Sequence, residues 1–195
     1  MAINAPSIDT ITKSFPHPVL PSVVGQPTYE TIYEIHKLIM ENASAIPSTV
    51  GGGNHGHFGL VIEAPKYLQV TGVAFVAPPN PGPVPLARRP FMTPAEIENE
   101  RQTHRAELVA FQTYHNCDKA LQNQLITAVE ERYIKGLHQG IVGYSNRTTY
   151  KFLAHLYAHY GIITPSMLQE SYAKMTQPYN PAMPIKMFFE QLEAA

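Results

Sequence analysis

The stretch from 136 to 192 constrains the fold most, because each helical run in it meets a residue that cannot continue a helix. Thr148 precedes a run carrying Phe152, Leu153, Leu156, Tyr157 and Tyr160 at helical spacing, and Gly161 closes it. Thr164 then stands ready to cap a run opened by Pro165 and bearing Leu168, Tyr172 and Met175. Pro178, Pro181 and Pro184 separate that run from a last apolar stripe of Ile185, Phe188, Phe189 and Leu192. Three short helices with aromatic faces are expected, preceded by a glycine-rich loop over 136–146. No catalytic motif falls among them.

The same signals extend upstream. Residues 27–42 place Tyr29, Ile32, Tyr33, His36, Ile39 and Met40 on one stripe, widened by Ile35 and Leu38. Thr93, Pro94 and Glu96 make a capping box with proline in the first turn. Ile97, Arg101, His104, Leu108, Phe111 and His115 follow, and Leu121, Leu125, Ile126, Val129, Tyr133 and Leu137 continue the stripe. This predicts one long helix, or two coaxial ones meeting at Asn116, Cys117 and Asp118, ending near Gly136. Three consecutive glycines make 46–59 a loop. Leu60, Val61 and Ile62 suit a strand or a buried helical turn equally, and 65–70 suits one short helix. Residues 77–94 are a polyproline-like bridge with Arg88 and Arg89 near its end; stiffness makes it a spacer, or a segment read by a Pro-x-x-Pro-binding domain. Pro6, Pro16, Pro18, Pro21 and Gly25 make 1–26 an extended arm, with Phe15, Val19, Leu20, Val23 and Val24 to dock on its own domain or on a neighbour.

The expectation is an all-α chain with an extended arm at 1–26. An N-terminal helical lobe spans 27–136 and includes a proline-rich loop at 77–92. A smaller C-terminal lobe spans 144–195, with the glycines of 136–143 as a hinge.

Composition narrows the function. Charged residues are 15% of the 195, against about 25% in an average domain, and the net charge is −1. No basic excess exists to draw in a phosphate backbone, and a surface so poor in charge tends to associate. One cysteine, Cys117, excludes an intrachain disulfide framework and a cysteine-based zinc finger. The N-terminus lacks a basic start and an apolar run, and no segment approaches the about 18 apolar residues of a membrane helix, so a soluble intracellular protein is expected. The last apolar stripe runs almost to Ala195, so it is expected either to need a partner or to continue, the chain then being the first part of something longer.

Histidine offers the one chemical alternative. His55 and His57 lie in the glycine loop, and His155 and His159 are spaced i, i+4. Together the four imidazoles would suit a zinc-dependent hydrolase, although the helical pair lacks the general base of His-Glu-x-x-His. The plainer reading is a packing helix and hydrogen-bonded loop histidines. The glycine loop has no lysine to hold a phosphate, and Cys117 reads as a small buried apolar group.

Four motifs together carry a resemblance. Ile46-Pro-Ser-Thr-Val-Gly-Gly-Gly-Asn-His-Gly-His-Phe-Gly-Leu-Val61, Gly143-Tyr-Ser-Asn146, His155-Leu-Tyr-Ala-His-Tyr-Gly-Ile-Ile-Thr-Pro165 and Pro178-Tyr-Asn-Pro-Ala-Met-Pro-Ile185 resemble signatures of the Gag-like region of copia-type LTR retrotransposons of algae and other microbial eukaryotes. The resemblance spans residues 29–192. It implies an all-α capsid fold that self-assembles into a virus-like particle around element RNA. The zinc knuckle often found downstream in such proteins is absent here, as is the Asp-Ser/Thr-Gly of an aspartic protease. RNA binding would then lie outside the chain or be weak.

The expected function is structural: a chain whose partner is itself, with no cofactor, no metal and no catalytic residue. Phe15, Val19, Leu20, Val23, Val24, Phe152, Leu156, Tyr160, Phe188 and Phe189 are the residues expected to carry self-association. A Gag-derived adaptor that no longer builds shells is the third reading.

Overall fold

The computed structural model describes residues 4–84, 92–178 and 184–193. Among them are eight α-helices and no strand, so the chain is all-α. Part of the proline-rich loop (85–91, with Arg88 and Arg89) and the proline step at 179–183 lie outside the described residues, as do Ala195 and the side chain of Leu192.

The organising element is α4 (Pro94–Ala128), a single helix of 35 residues. Its start is the expected capping box: Thr93 Oγ1 accepts from the Glu96 N–H at 3.3 Å, and the Glu96 carboxylate accepts from the Thr93 N–H at 2.7 Å. Its first two-thirds is largely exposed; from Cys117 onward it is the spine of the core, burying Cys117, Ala120, Leu121, Leu125 and Ala128. Asn116, Cys117 and Asp118, one expected position of a break, are instead where the helix enters the core.

Against that spine lie α2 (Tyr29–Ala45) and α6 (Thr149–Tyr160). The buried face of α2 is Ile32, Ile35, Ile39 and Ala43, spaced three and four apart. That of α6 is Phe152, Leu153 and Leu156. A buried carboxylate ties α6 to the spine: Asp118 Oδ1 accepts from the Thr149 N–H at 2.9 Å and from the Thr149 hydroxyl at 2.7 Å. The orphan donors of a helix start thus find an acceptor on another helix. The short α5 (Glu131–Ile134) also packs on α6.

The N-terminal segment is not an extended arm. Ser7 caps α1 (Ile8–Ser14), accepting from the Thr10 N–H, with Asp9 in the first turn and Lys13 in the last. This helix lies along α4, and Ile11, Phe15, Leu20 and Val23 sink into the core. Fully buried Asn42 holds the chain that follows: its Oδ1 accepts from the His17 N–H at 2.9 Å and its Nδ2 donates to the His17 carbonyl at 2.8 Å. Gln124 Nε2 donates to the His17 and Pro18 carbonyls, both at 2.8 Å. The prolines do stop a helix after Ser14, but the segment docks on its own core because side-chain amides satisfy its backbone.

The core also runs past the boundary expected at 136–144. Residues 135–142 make two tight turns closed by Gln139 and Gly143, which exchange backbone hydrogen bonds at 2.9 and 3.0 Å. Helices on both sides of this loop share one apolar core, so it is no hinge between separate lobes. The helical faces that leave the core come after Gly161.

The glycine loop closes over the end of α2. The His57 N–H donates to the Ala43 carbonyl at 2.9 Å, and Gly51, Gly52, Gly53 and Gly56 all have positive φ. Gly56 is irreplaceable on steric grounds: a Cβ there would overlap the carbonyl oxygens of Ser44 and Ile46. We expect Gly56→Ala to lower stability by about 2 kcal/mol or more, read as a lower denaturation midpoint. Residues 60–62 form no strand; a 3-10 turn ends at Leu60, and Leu60, Val61 and Ile62 are buried. α3 (Ala64–Thr71) follows, its Tyr67 hydroxyl donating to the Gly51 carbonyl at 3.0 Å.

Candidate functional site

The C-terminal pair of helices is largely exposed. Thr164 Oγ1 accepts from the Met167 N–H at 3.3 Å and Pro165 takes the first helical position, which starts α7 (Pro165–Met175) where expected. α7 buries no residue. Its apolar stripe, Leu168, Tyr172 and Met175, lies in solvent, with Tyr172 70% exposed. α8 (Ile185–Glu193) packs on α7, and its Ile185, Met187 and Phe189 are exposed as well. Phe188 is half-buried, its ring centroid 6.1 Å from that of Phe189. Amphipathic spacing without a covered face marks a surface that a partner can cover.

The residues expected to carry self-association divide sharply. Phe15, Leu20, Val23, Phe152 and Leu156 are between 0% and 7% exposed and are core residues, not surface contacts. In sequence, an apolar stripe reads identically whether its own chain or another covers it. Val19 and Val24 are exposed at 83% and 92%, Phe189 is exposed, and Tyr160 is half-buried against Tyr133, ring centroids 5.3 Å apart.

A groove that sequence reasoning missed lies between the glycine loop and the exposed half of α4. It has a volume of about 860 Å³ and is lined by Pro47, Val50, His57, Gln102, Ala106 and Val109 among others. Finding it requires the loop to be folded against a helix some fifty residues later. The only local hint is the small-residue run that lets the loop turn there.

The four histidines of the zinc reading are not assembled. His57 is buried, and its Nδ1–H donates to the Ile46 carbonyl at 3.1 Å. The His155 Nε2–H donates to the Tyr133 carbonyl at 3.0 Å. Among the described residues no three histidine, cysteine, aspartate or glutamate side chains are placed to hold one metal ion. Burial, and then the nearby Asp118, push the Cys117 thiol up to about 12, which leaves it an un-ionised apolar group.

His36, on the α2 stripe, is a structural joint. Its Nε2–H donates to the Val61 carbonyl at 3.1 Å, and its Nδ1 accepts from the Tyr157 hydroxyl at 3.2 Å. Burial holds the pKa of His36 and of His57 below 6.5. The unfolded chain therefore takes up these protons first, and stability falls as the pH drops below 6.5. Asp118 has the opposite sign: burial raises its pKa above 3.8, so its contribution grows as it protonates in more acidic solution. We expect a lower Tm at about pH 5.5 than at about pH 7.5, and a smaller difference in His36→Gln. An unchanged Tm would contradict neutral burial of these rings.

Fold and surface together define an all-α protein with an unburied apolar C-terminal face. Compared with protein-family models, with curated proteins and with solved structures, the chain gives no match.

Proposed function

We propose that this chain is a structural protein that associates with its own copies to build a capsid-like shell, in the manner of a retrotransposon Gag. The observation that carries the reading is α7, an amphipathic helix with no buried residue. Covering one such side chain contributes about 1.5–3 kcal/mol, and a shell repeats the same contact in every copy. The four Gag-like motifs supply the family part of the proposal. In it, the helices up to α6 form the body and α7 with α8 form the smaller assembly element. The particle is cytoplasmic, and packaged element RNA is bound outside this chain or weakly. No helix among the described residues is long and apolar enough to cross a membrane.

The test is sedimentation and negative-stain microscopy of the purified protein against the variant Leu168→Glu with Tyr172→Glu. The wild type should form concentration-dependent particles and the variant single molecules. Both positions are exposed, so Tm should hardly move. Wild-type protein that stays single at every concentration and salt overturns the proposal. It would favour a non-assembling adaptor, for which the groove beside α4 offers a binding surface.

A further inference from the structure

Two imidazoles stand together on α6. His155 and His159 are one turn apart on the same helix face, with ring centroids 4.3 Å apart and planes inclined at 56°. The Tyr133 carbonyl can only accept, so its 3.0 Å bond to His155 Nε2 places the ring proton there and leaves the lone pair on Nδ1. A ring N–H given to a backbone carbonyl is the contact that orients metal-binding histidines elsewhere. The ring is also held by shape. Gly136 lies against it so closely that a Cβ there would come within 3.3 Å of His155 Cε1. His155 is half-buried and His159 exposed, so the pair is reached from solvent.

We propose that His155 and His159 form a two-imidazole chelate for a divalent transition-metal ion, Zn²⁺ or Cu²⁺, with water completing the coordination sphere. This site needs neither His55 nor His57 and performs no hydrolysis. Neutral imidazole is the ligand form, and the His155 ring already presents an unprotonated Nδ1 because its Nε2–H is given to the Tyr133 carbonyl. With no third protein ligand placed among the described residues, the chelate is open, and Cu²⁺ should bind more tightly than Zn²⁺.

The experiment titrates the full chain with Zn²⁺ alone and with Cu²⁺ alone, in a buffer that does not bind metals. One ion per chain is expected. His159→Ala, at an exposed position, should weaken binding at least about tenfold, the loss that even removal of an outer contact brings. His55→Ala should leave binding unchanged. Electron paramagnetic resonance of the Cu²⁺ form gives an independent readout: coupling to two imidazole nitrogens in the wild type and to one in His159→Ala. An unaltered Tm in His159→Ala confirms that the fold is intact. Wild-type affinity in His159→Ala overturns the proposal, and so does loss of binding in His55→Ala.

Discussion

Replacing Phe152 with Ala is expected to destabilise the protein by about 3–5 kcal/mol, a large share of a typical domain's total stability. Phe152 is fully buried on α6, its ring centroid 5.4 Å from that of Tyr144, and it belongs to the core shared with α2 and α4. Truncation removes transfer free energy and leaves a cavity that three packed helices cannot close. Chemical denaturation checks it: the midpoint should fall with the slope unchanged. The prediction also separates two architectures. If α6 belongs to one core, far-UV signal and Tyr fluorescence should be lost together, early. If α6 headed an independent lobe, only the C-terminal part would melt early. A loss below about 1 kcal/mol would remove α6 from the core.

The second large effect is at Asn42. Asn42→Ala strips the His17 N–H of its acceptor and Gln124 Oε1 of a donor 3.0 Å away, all against a side chain with no exposure. Buried groups left unsatisfied cost about 1–3 kcal/mol each, so a loss of about 2–6 kcal/mol is expected. The damage should be directional. Gln124 still holds the His17 and Pro18 carbonyls, so the chain loosens first between α1 and α2. Hydrogen exchange should accelerate in residues 15–24 before it does in α2 or α6. Uniform acceleration across the chain would mean that the amide pair supports the whole core rather than the N-terminal segment.

The contrast between Phe152 and the α7 residues matters for any study of assembly. Both sets are apolar at helical spacing. A substitution at Phe152 would abolish particles by unfolding the subunit, whereas Leu168→Glu with Tyr172→Glu tests the surface alone.

How much was legible beforehand varied by element. The start of α4 was written in three residues, Thr93, Pro94 and Glu96, because a capping box is a local interaction. The starts of α6 and α7 at Thr148 and Thr164 were legible for the same reason. α1 was missed: seven residues are too few to show a period, and the prolines after it outweighed Ser7, Asp9 and Lys13. The hinge expected at 136–143 rested on glycine content, and glycine there serves tight turns, with Gly140 and Gly143 at positive φ.

The residues expected to carry self-association divide by burial. Phe189, Val19 and Val24 stand at the surface, whereas Phe15, Leu20, Val23, Phe152 and Leu156 turned inward. The groove and the Asn42–Gln124 clamp were illegible, since each joins segments tens of residues apart.

The amino-acid order alone determined that the chain is helical and where most helices begin, because caps, prolines and 3.6-residue periods act within one turn. Which apolar stripes meet one another and which face water was decided only by the tertiary structure. Burial depends on what else occupies the space, and no local pattern records that.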